Sequence, residues 1–473
     1  MSVLFLRKNI NRKEILMNEK KELFENAPIG KALAAMAIPT IISQLISMIY
    51  NMADTIFIGM TDDPYKVAAA GVVGNVFFVM SAFTNLFGVG GGSLMSRLLG
   101  ISREEEAKKV CSFSFYGSLL IGIICSVVAL LFADPISFLL GASQNTIGYC
   151  REYIFWTVFV GGIPMIVSVA MSHLLRSAGY SGKSSFGLAL GGVMNIILDP
   201  IFMFVILPPG NEVTGAAMAT MLSNAIALLY FLIEFLRLRK KSILTLSPKL
   251  MIPSKSSIGS VFAIGLPSTL SAMLAATAAI LKNNLASGHN DIGLAALSIV
   301  VKVDMLPLNI GMGLCQGMMP LVAYNYAAAN YKRMNGFIKA SQLTGMIMAG
   351  TCILAFEIFA EPIVRIFIGD ATTIAYGKDF LRIACLATPF MISNFQKNFC
   401  LQAMGMGKAS LLLAVCRQGI VYIPILLIAN HFFGIYGVVG SQLVSDMITF
   451  VITTIVYRSI YKKLVVKTNT IEE

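Results

Sequence analysis

Two acids stand inside apolar runs of this sequence. Asp54 lies in the run 31–59, one turn after Tyr50 and three residues after Asn51. Asp199 lies in the run 184–207, within Asn195-Ile196-Ile197-Leu198-Asp199-Pro200. A charge at the centre of a bilayer costs ~2.5–3.5 kcal/mol even on the lenient insertion scale, so each demands a partner or a task. Asn195 and Asp199 are i and i+4 and share a helix face. Pro200 has no N–H, which frees the Ile196 carbonyl four residues back. Thr220, in the next run, adds a hydroxyl. Two acids, an amide and a hydroxyl at similar depth are the chemistry of a proton or small-cation site. Burial and a neighbouring like charge both favour the neutral carboxyl, so a paired acid of this kind exchanges protons near neutral pH. The alternative is two separate packing acids, each hydrogen-bonded to its neighbours.

A second set of intramembrane charges follows: Lys282, Lys302, Asp304, Arg417 and Asp446. Lys302 and Asp304 are i and i+2 and do not face each other on a helix. Their partners must come from other segments, and Arg417 with Asp446 is one such pairing. These charges are either structural pairs or the lining of a cavity. Other residue types offer less chemistry. His173, His289 and His431 share no helix face, which argues against a metal site, and no other metal-ligand spacing occurs. The eight cysteines read as small core residues. Gly88, Gly90, Gly91 and Gly92 lie inside an apolar run without a P-loop lysine, so they are expected to allow close helix approach or flexing. No Walker motif, HExxH or GxSxG occurs, and no cofactor is implied; ATP drive has no support.

The elements that must hold these residues are membrane helices. The chain has 473 residues, 56% hydrophobic and 13% charged, and its mean hydropathy is +0.77. Soluble domains are about 25% charged, so a soluble enzyme, a nucleic-acid binder and a disordered chain are excluded. Apolar runs fall near 31–59, 68–96, 110–132, 152–173, 184–207 and 214–236, then 258–286, 293–325, 336–359, 379–402, 409–429 and 434–457. Each crosses ~30 Å of hydrocarbon as a helix. Period-2 alternation is absent, which leaves helices rather than barrel strands.

The chain repeats itself. Ile38-Pro39-Thr40 is echoed by Leu266-Pro267-Ser268, Ala133-Asp134-Pro135 by Ala360-Glu361-Pro362, Gly182-Lys183 by Gly407-Lys408, and Gly215-Ala216-Ala217 by Gly437-Val438-Val439, at an offset near 225. Six spans separate the copies, so both halves have the same orientation. The expected fold is an all-α polytopic membrane protein, with 12 transmembrane helices in two pseudo-symmetric six-helix lobes around a central cavity. Its parts are a tail at 1–30, a first lobe at 31–237, a linker at 238–257, a second lobe at 258–460 and a tail at 461–473. Aligning Pro39 with Pro267 puts Lys282 opposite Asp54.

Loop charges orient the bundle. One side collects Arg7, Lys8, Arg12, Lys13, Lys20, Lys21, Lys31, Arg97, Arg103, Lys108, Lys109, Arg176, Lys183 and the basic linker; the other has few cations and the acids Asp62, Asp63, Asp134, Glu212, Asp291, Glu361 and Asp370. The net charge of +12 is then the positive-inside signature rather than a nucleic-acid surface, and both termini are expected in the cytoplasm. Residues 3–6 are too short an apolar stretch for a signal peptide, and Met17 is an alternative start.

On Ile38-Pro39, Asp54-Thr55, Gly182-Lys183, Asn195 to Pro200 and Gly215-Ala216-Ala217, in this order from about Ala27 to Tyr457, the chain resembles the multidrug and toxic compound extrusion (MATE) transporters. The resemblance is to the bacterial branch related to the damage-inducible F-type pumps. It implies a secondary active exporter, a monomer in the bacterial plasma membrane, in which small organic cations leave while H⁺ or Na⁺ enters by alternating access. Asp54 and Asp199 occupy the coupling-ion places of that branch, with Asn195 and Thr220 at the flanking polar positions. These four would also hold Na⁺. Ser47, Tyr50 and Asn224 carry over as substrate contacts. Lys282 at the repeat position of Asp54 argues against ion coupling in the second lobe.

Two other readings stand beside this one. A lipid-linked sugar flippase of the same superfamily predicts anionic cargo and a basic cavity, for which Lys282, Lys302 and Arg417 speak. An intramembrane enzyme or a sensor would need a catalytic constellation or a soluble effector domain, and the sequence has neither. The 27 Met and 30 Phe suit an adaptable apolar wall, although most of them are expected in the core or against lipid.

Overall fold

The structure is a computed structural model that describes residues 22–61, 63–289 and 291–472. The cations between Arg7 and Lys21, most of the expected 1–30 tail, and Asp62 lie outside the described residues. Helices make the whole fold, and no strand occurs among the described residues. Nine helices among them are long and apolar enough to cross a bilayer. Spans 1, 2 and 3 are Ile29–Gly59, Pro64–Gly100 and Glu104–Leu131. Span 4 is bent by 45° between Ile147–Val160 and Gly162–Ser177, spans 5 and 6 are Ser181–Ile206 and Glu212–Leu238, and span 7 is Lys255–Ser287. Span 8 is Asp291–Ala327 and span 9 is Tyr331–Arg365.

The remaining spans are interrupted helices. Span 10 is the pair Ala371–Cys385 and Thr388–Ala403. Span 11 opens with Gly407–Val415 and a π turn at Cys416–Ile420, and continues into Tyr422–Glu472. That last helix would be ~76 Å long if straight, more than twice the hydrocarbon thickness. It is not straight. Gly434 has φ 58° and ψ −138°, a conformation that costs glycine little. A Cβ on Gly437 would stand 3.1 Å from the Asn430 amide nitrogen. Positions seven apart touch through their backbones only where the chain has turned back. Span 12 therefore begins at 435, and the count reaches the expected twelve.

The first lobe packs span 2 on spans 3 and 4, and span 5 between spans 1 and 6. The lobes meet where span 2 crosses span 7 and span 1 crosses span 8. The named contacts of this seam lie in the half of the bundle nearest Lys31, Arg97 and Arg103, the basic end. Gly90 sits on the backbone of Val261 and Gly265, and a Cβ on Gly317 would stand 2.5 Å from Ala37 Cα. Ser93 Oγ donates to the Gln402 carbonyl at 2.7 Å. Gly88, Gly91 and Gly92 lie against His173, Ser114 and Ser177. The glycine run thus brings span 2 close to spans 3, 4 and 7 at once, as expected. Toward the opposite, acidic end the facing spans expose polar residues instead: Asn51 and Thr55 on span 1, Thr277 on span 7, Ser298 and Asn309 on span 8. Each of these bonds a carbonyl of its own helix four residues back, and none of these bonds reaches the other lobe. The contacts named between the lobes all lie at the basic end, so the bundle reads as a V that is shut there.

Two features of the loops add to the sequence reading. The linker 238–257 is docked on span 3: Ile243 and Leu244 are buried, while Ser112 Oγ and the Tyr116 hydroxyl of span 3 donate to the Ser247 and Leu246 carbonyls at 2.7 and 2.9 Å. Cations are also less scarce at the acidic end than the loop reading implies. Lys66 pairs with Glu212 at 2.6 Å, Arg365 with Glu361 at 2.8 Å and Arg382 with Glu357 at 3.4 Å. Arg151 Nε donates to Asp134 at 2.6 Å, and that guanidinium holds the Asp134 carboxyl below the usual carboxylate range. The chain is also ordered from before residue 30. Phe24 is buried and stacks on Tyr324 at 4.9 Å, and Arg333 Nε donates to the Phe24 carbonyl at 2.7 Å.

Candidate functional site

Span 5 positions the first-lobe cluster. A Cβ on Gly192 would meet Tyr50 Cδ1 and Ile46 Cγ2 at 3.0 Å each, so this glycine lets span 1 lie against span 5. On the next helix face a Cβ on Gly191 would meet Ala227 Cβ of span 6 at 3.2 Å. Gly192, Asn195 and Asp199 are i, i+3 and i+7, one stripe of the helix. The close approach at Gly192 therefore carries onward to the polar pair. Pro200 lies inside the helix, one residue before its end at Ile201, and the π turn Phe202–Ile206 follows. Gly215 of span 6 lies against Met203 of that turn, where a Cβ would stand 2.8 Å from Met203 Cα.

The side chains then meet. Asn195 Nδ2 donates to Asp199 Oδ1 at 2.9 Å and to Thr220 Oγ1 at 3.3 Å. The Tyr153 hydroxyl of span 4 donates to Asp54 Oδ2 at 3.4 Å. Tyr153 also lies within Coulombic reach of Asp199, and Asp54 within reach of Asp199. Asp199 is 0% exposed and Asn195 2%. Asp54 Oδ1, Asp199 Oδ2 and Asn195 Oδ1 are buried and find no donor among the described residues. Acceptor-only carboxylates left like this are unusual, because buried polar atoms are nearly always paired. A protonated carboxyl becomes a donor, and a small hard cation takes carboxylate, amide and hydroxyl oxygens. Either would satisfy these atoms.

Of the sequence-named residues, Asp54, Asp199, Asn195 and Thr220 come together, with Tyr50 beside them at Gly192. Asn224 and Ser47 flank the cluster within their own helices: Asn224 Nδ2 donates to the Thr220 carbonyl at 2.9 Å, and the Ser47 carbonyl accepts from Asn51 at 2.7 Å. Tyr153 was not foreseen. It is a tyrosine in the run Arg151-Glu152-Tyr153, near the acidic end of span 4, and only the packing of span 4 on spans 1 and 6 gives it a partner.

The second lobe is arranged differently. Arg417, in the π turn of span 11, donates through Nε to Asp446 Oδ1 at 2.6 Å and through Nη2 to Oδ2 at 3.1 Å. Gln442 Nε2 adds a bond to Oδ2 at 2.9 Å, and Asn394 Nδ2 one to Oδ1 at 3.4 Å. The guanidinium lies over the Phe395 ring at 4.4 Å. Both oxygens of Asp446 are engaged, and its side chain is 0% exposed. Lys282 and Asp304 lie within Coulombic reach of one another, and Lys302 is half-buried on span 8. His173 bonds Arg176, and His289 bonds Asn430. Among the described residues no group of three His, Cys, Asp or Glu side chains could hold a metal ion.

Comparison with known proteins adds three findings. The model of the MatE family matches residues 39–201 and again residues 267–428, two copies that coincide with the internal repeat. The multidrug export protein MepA of Staphylococcus saprophyticus is 31% identical over 92% of this chain and 94% of its own length. MepA of Staphylococcus haemolyticus is 32% identical over 95% and 98%. Among solved structures, one described as the outward-facing conformation of a multidrug resistance MATE family transporter matches with a TM-score of 0.87 at 22% identity, covering 94% of this chain and 98% of that one. A MATE structure in the bent conformation matches with a TM-score of 0.86, also at 22% identity, over 95% and 99%.

Proposed function

The chain belongs to the MatE family, a transporter family rather than an enzyme family, and from that premise we propose that it exports organic cations of varied structure in exchange for entering H⁺ or Na⁺. The MepA relatives are named multidrug export proteins, which supports the export reading. The observation that carries the coupling is the trio of donor-less buried oxygens on Asp54, Asp199 and Asn195. An ion arriving from the acidic end satisfies them; an ion leaving strips them again. With the basic end in the cytoplasm, the V opens to the outside, where the driving ion enters. Binding of a proton or Na⁺ at Asp54, Asp199, Asn195 and Thr220 removes net negative charge from the first lobe. That weakens its hold on a cationic cargo lodged near Tyr50 and releases it outward. Return of the ion to the cytoplasm restores the anionic lobe for the next cargo. The unit of function is the monomer in the bacterial plasma membrane.

The flippase reading is less well supported. Asp446 consumes the charge of Arg417, and Asp304 lies near Lys282, so little free positive charge remains for an anionic lipid-linked cargo.

The test is transport in proteoliposomes with the protein in defined orientation. A pH gradient or a Na⁺ gradient, acid or Na⁺ on the side where the V opens, is expected to drive an ethidium-like dye toward that side. No gradient-dependent movement under either ion, with folded protein present, would overturn the proposal. Cysteine labelling at Lys249, an exposed linker position, in a Cys-depleted background tests orientation. Labelling of intact cells by an impermeant reagent would reverse it.

A further inference from the structure

Two arginines, Arg176 buried and Arg97 half-buried, lie in the shut end of the V, away from the acid cluster. Arg176, near the end of span 4, is 2% exposed. Its Nη1 donates across the seam to Gln316 Oε1 of span 8 at 3.0 Å and lies 3.4 Å from His173 Nδ1. Its Nε has no acceptor among the described residues. Arg97, at the end of span 2, is packed onto the backbone of Gly405 in the second lobe. Arg97 Nε makes one long bond of 3.4 Å to the Ser93 carbonyl of its own helix, and Arg97 Nη2 has no acceptor among the described residues. Every other arginine bonded across the lobes or between spans here holds a carboxylate or a row of carbonyls, as Arg417 and Arg333 do. These two hold neither, and their positive charge is left uncancelled.

The seam around Arg176 also has room for water. Ser93, Ser177, His173, Arg176 and Gln316, with the apolar Met319 and Phe399, border a cavity of about 20 Å³, enough for one water molecule. A cation or proton crossing between the lobes here would pass within reach of the guanidinium. Fixed guanidinium charge in a narrow polar passage is the device by which membrane pores exclude protons and cations. We propose that Arg176, assisted by Arg97, is the electrostatic barrier of the shut end: it stops cations that enter the open V from leaking across without a change of lobe arrangement. This rests on the ion-coupled reading above and adds what coupling requires, since an ion that slips through does no work on the cargo.

The test measures proton leak into proteoliposomes under a pH gradient with no dye present, using a pH indicator inside. Arg176→Gln is expected to leak roughly tenfold faster than wild type, the ratio that about 1.4 kcal/mol of barrier supplies. Arg97→Gln should leak less than Arg176→Gln but more than wild type. Arg176→Lys keeps the charge and should stay at the wild-type level. Gln316→Leu removes the cross-seam bond while leaving the charge, and it too should remain tight. Leak equal to wild type in folded Arg176→Gln would overturn the barrier. So would equal leak in Arg176→Gln and Gln316→Leu, which would mean that packing seals the seam. The leak is read without cargo, so the outcome is independent of dye transport. A wild type that moves no dye while Arg176→Gln leaks sinks the exporter reading and keeps the barrier.

Discussion

The two lobes use the same helices to opposite ends. In the first, Asp199 has one oxygen bonded to Asn195 and one with no donor, and Asp54 has the same imbalance. In the second, Asp446 receives four bonds from Arg417, Gln442 and Asn394. The repeat explains how one design diverged. Aligning Gly182 with Gly407 puts Arg417 at the place of Gly192, and aligning Gly215 with Gly437 puts Asp446 at the place of Asn224. Where the first lobe has a glycine that admits Tyr50, the second has a built-in cation. Where the first has Asp54, the second has Lys282. The second lobe carries its counter-charges covalently, and the first leaves room for one that comes and goes. A saturated carboxylate gains nothing by taking up an ion; an unsaturated one does.

The largest effect that would break this contrast is on transport. Asp54→Asn and Asp199→Asn keep size and remove the ionisable group. Each should abolish gradient-driven dye movement, because the ~2.3 kcal/mol per charge per 100 mV that ion entry supplies is no longer harvested. Thermal stability in detergent should hold or rise, since each variant replaces a donor-less charge. Wild-type transport in both variants would place the coupling elsewhere.

The reverse pattern is expected in the second lobe. Asp446→Asn strands a buried guanidinium and should cost about 3–5 kcal/mol of stability, read as a fall in melting temperature. Dye transport per folded molecule should remain ion-dependent. The double substitution Arg417→Leu with Asp446→Leu should recover most of the loss, because an apolar pair of similar volume often replaces a buried ion pair without cost. Loss of coupling in the double variant would show that the pair does more than hold spans 11 and 12 together.

Much of this contrast is legible in the sequence, and the unread part has a physical pattern. The acids, the amide at i−4 and the proline are recognisable because charge in an apolar run is rare and helix spacing is regular. The twelve spans survive in the structure even where helices are broken or fused, because hydropathy reports depth rather than backbone continuity. The gap between the runs 409–429 and 434–457 falls beside the turn at Gly434 for that reason. What escaped is whatever depends on which helix lies beside which. Tyr153 is an ordinary aromatic until span 4 is set against span 1. Gln442 and Asn394 are neutral residues whose value appears only around Asp446. Lys66 and Arg151 look like exceptions to the charge asymmetry until Glu212 and Asp134 are found beside them. The docking of 238–257 on span 3 is not legible either, because its buried apolar residues Ile243 and Leu244 are too few to announce a packing face.

A smaller effect probes the packing that builds the first-lobe cluster. Gly192→Leu puts a branched side chain where even a Cβ is 3.0 Å from Tyr50 and Ile46. Overpacking of this kind costs about 1–3 kcal/mol, and it should push span 1 from span 5, separating Asp54 from Asp199. Dye transport should fall with stability only modestly changed. Ile38→Val, at an exposed position of span 1 sixteen residues before Asp54, should alter neither by more than ~0.5 kcal/mol. Equal loss in both variants would mean that span 1 as a whole, rather than its register against span 5, sets activity.

The smallest expected effect is the most informative about Asp54. Tyr153 gives that acid its hydrogen bond from a side chain, at 3.4 Å, longer than the usual range for a hydroxyl donor. Tyr153→Phe removes the hydroxyl and keeps the ring, so the shift is confined to one weak bond of roughly 0.5–1.5 kcal/mol. The bond favours the ionised acid, since a phenolic O–H donates to a carboxylate more strongly than to a neutral carboxyl. Without it, Asp54 holds a proton more readily. Ion-driven transport should then reach half-maximal rate at a higher pH on the open side, displaced by less than about one unit, with maximal rate nearly unchanged. The Asp54→Asn background moves no dye, so the control there is the pH dependence of dye binding to the purified protein, which Tyr153→Phe should leave in place because the group that Tyr153 tunes is gone. A shift that persists in that background would mean that Tyr153 acts on Asp199, and it would make the span 4 tyrosine a partner of span 5 rather than of span 1.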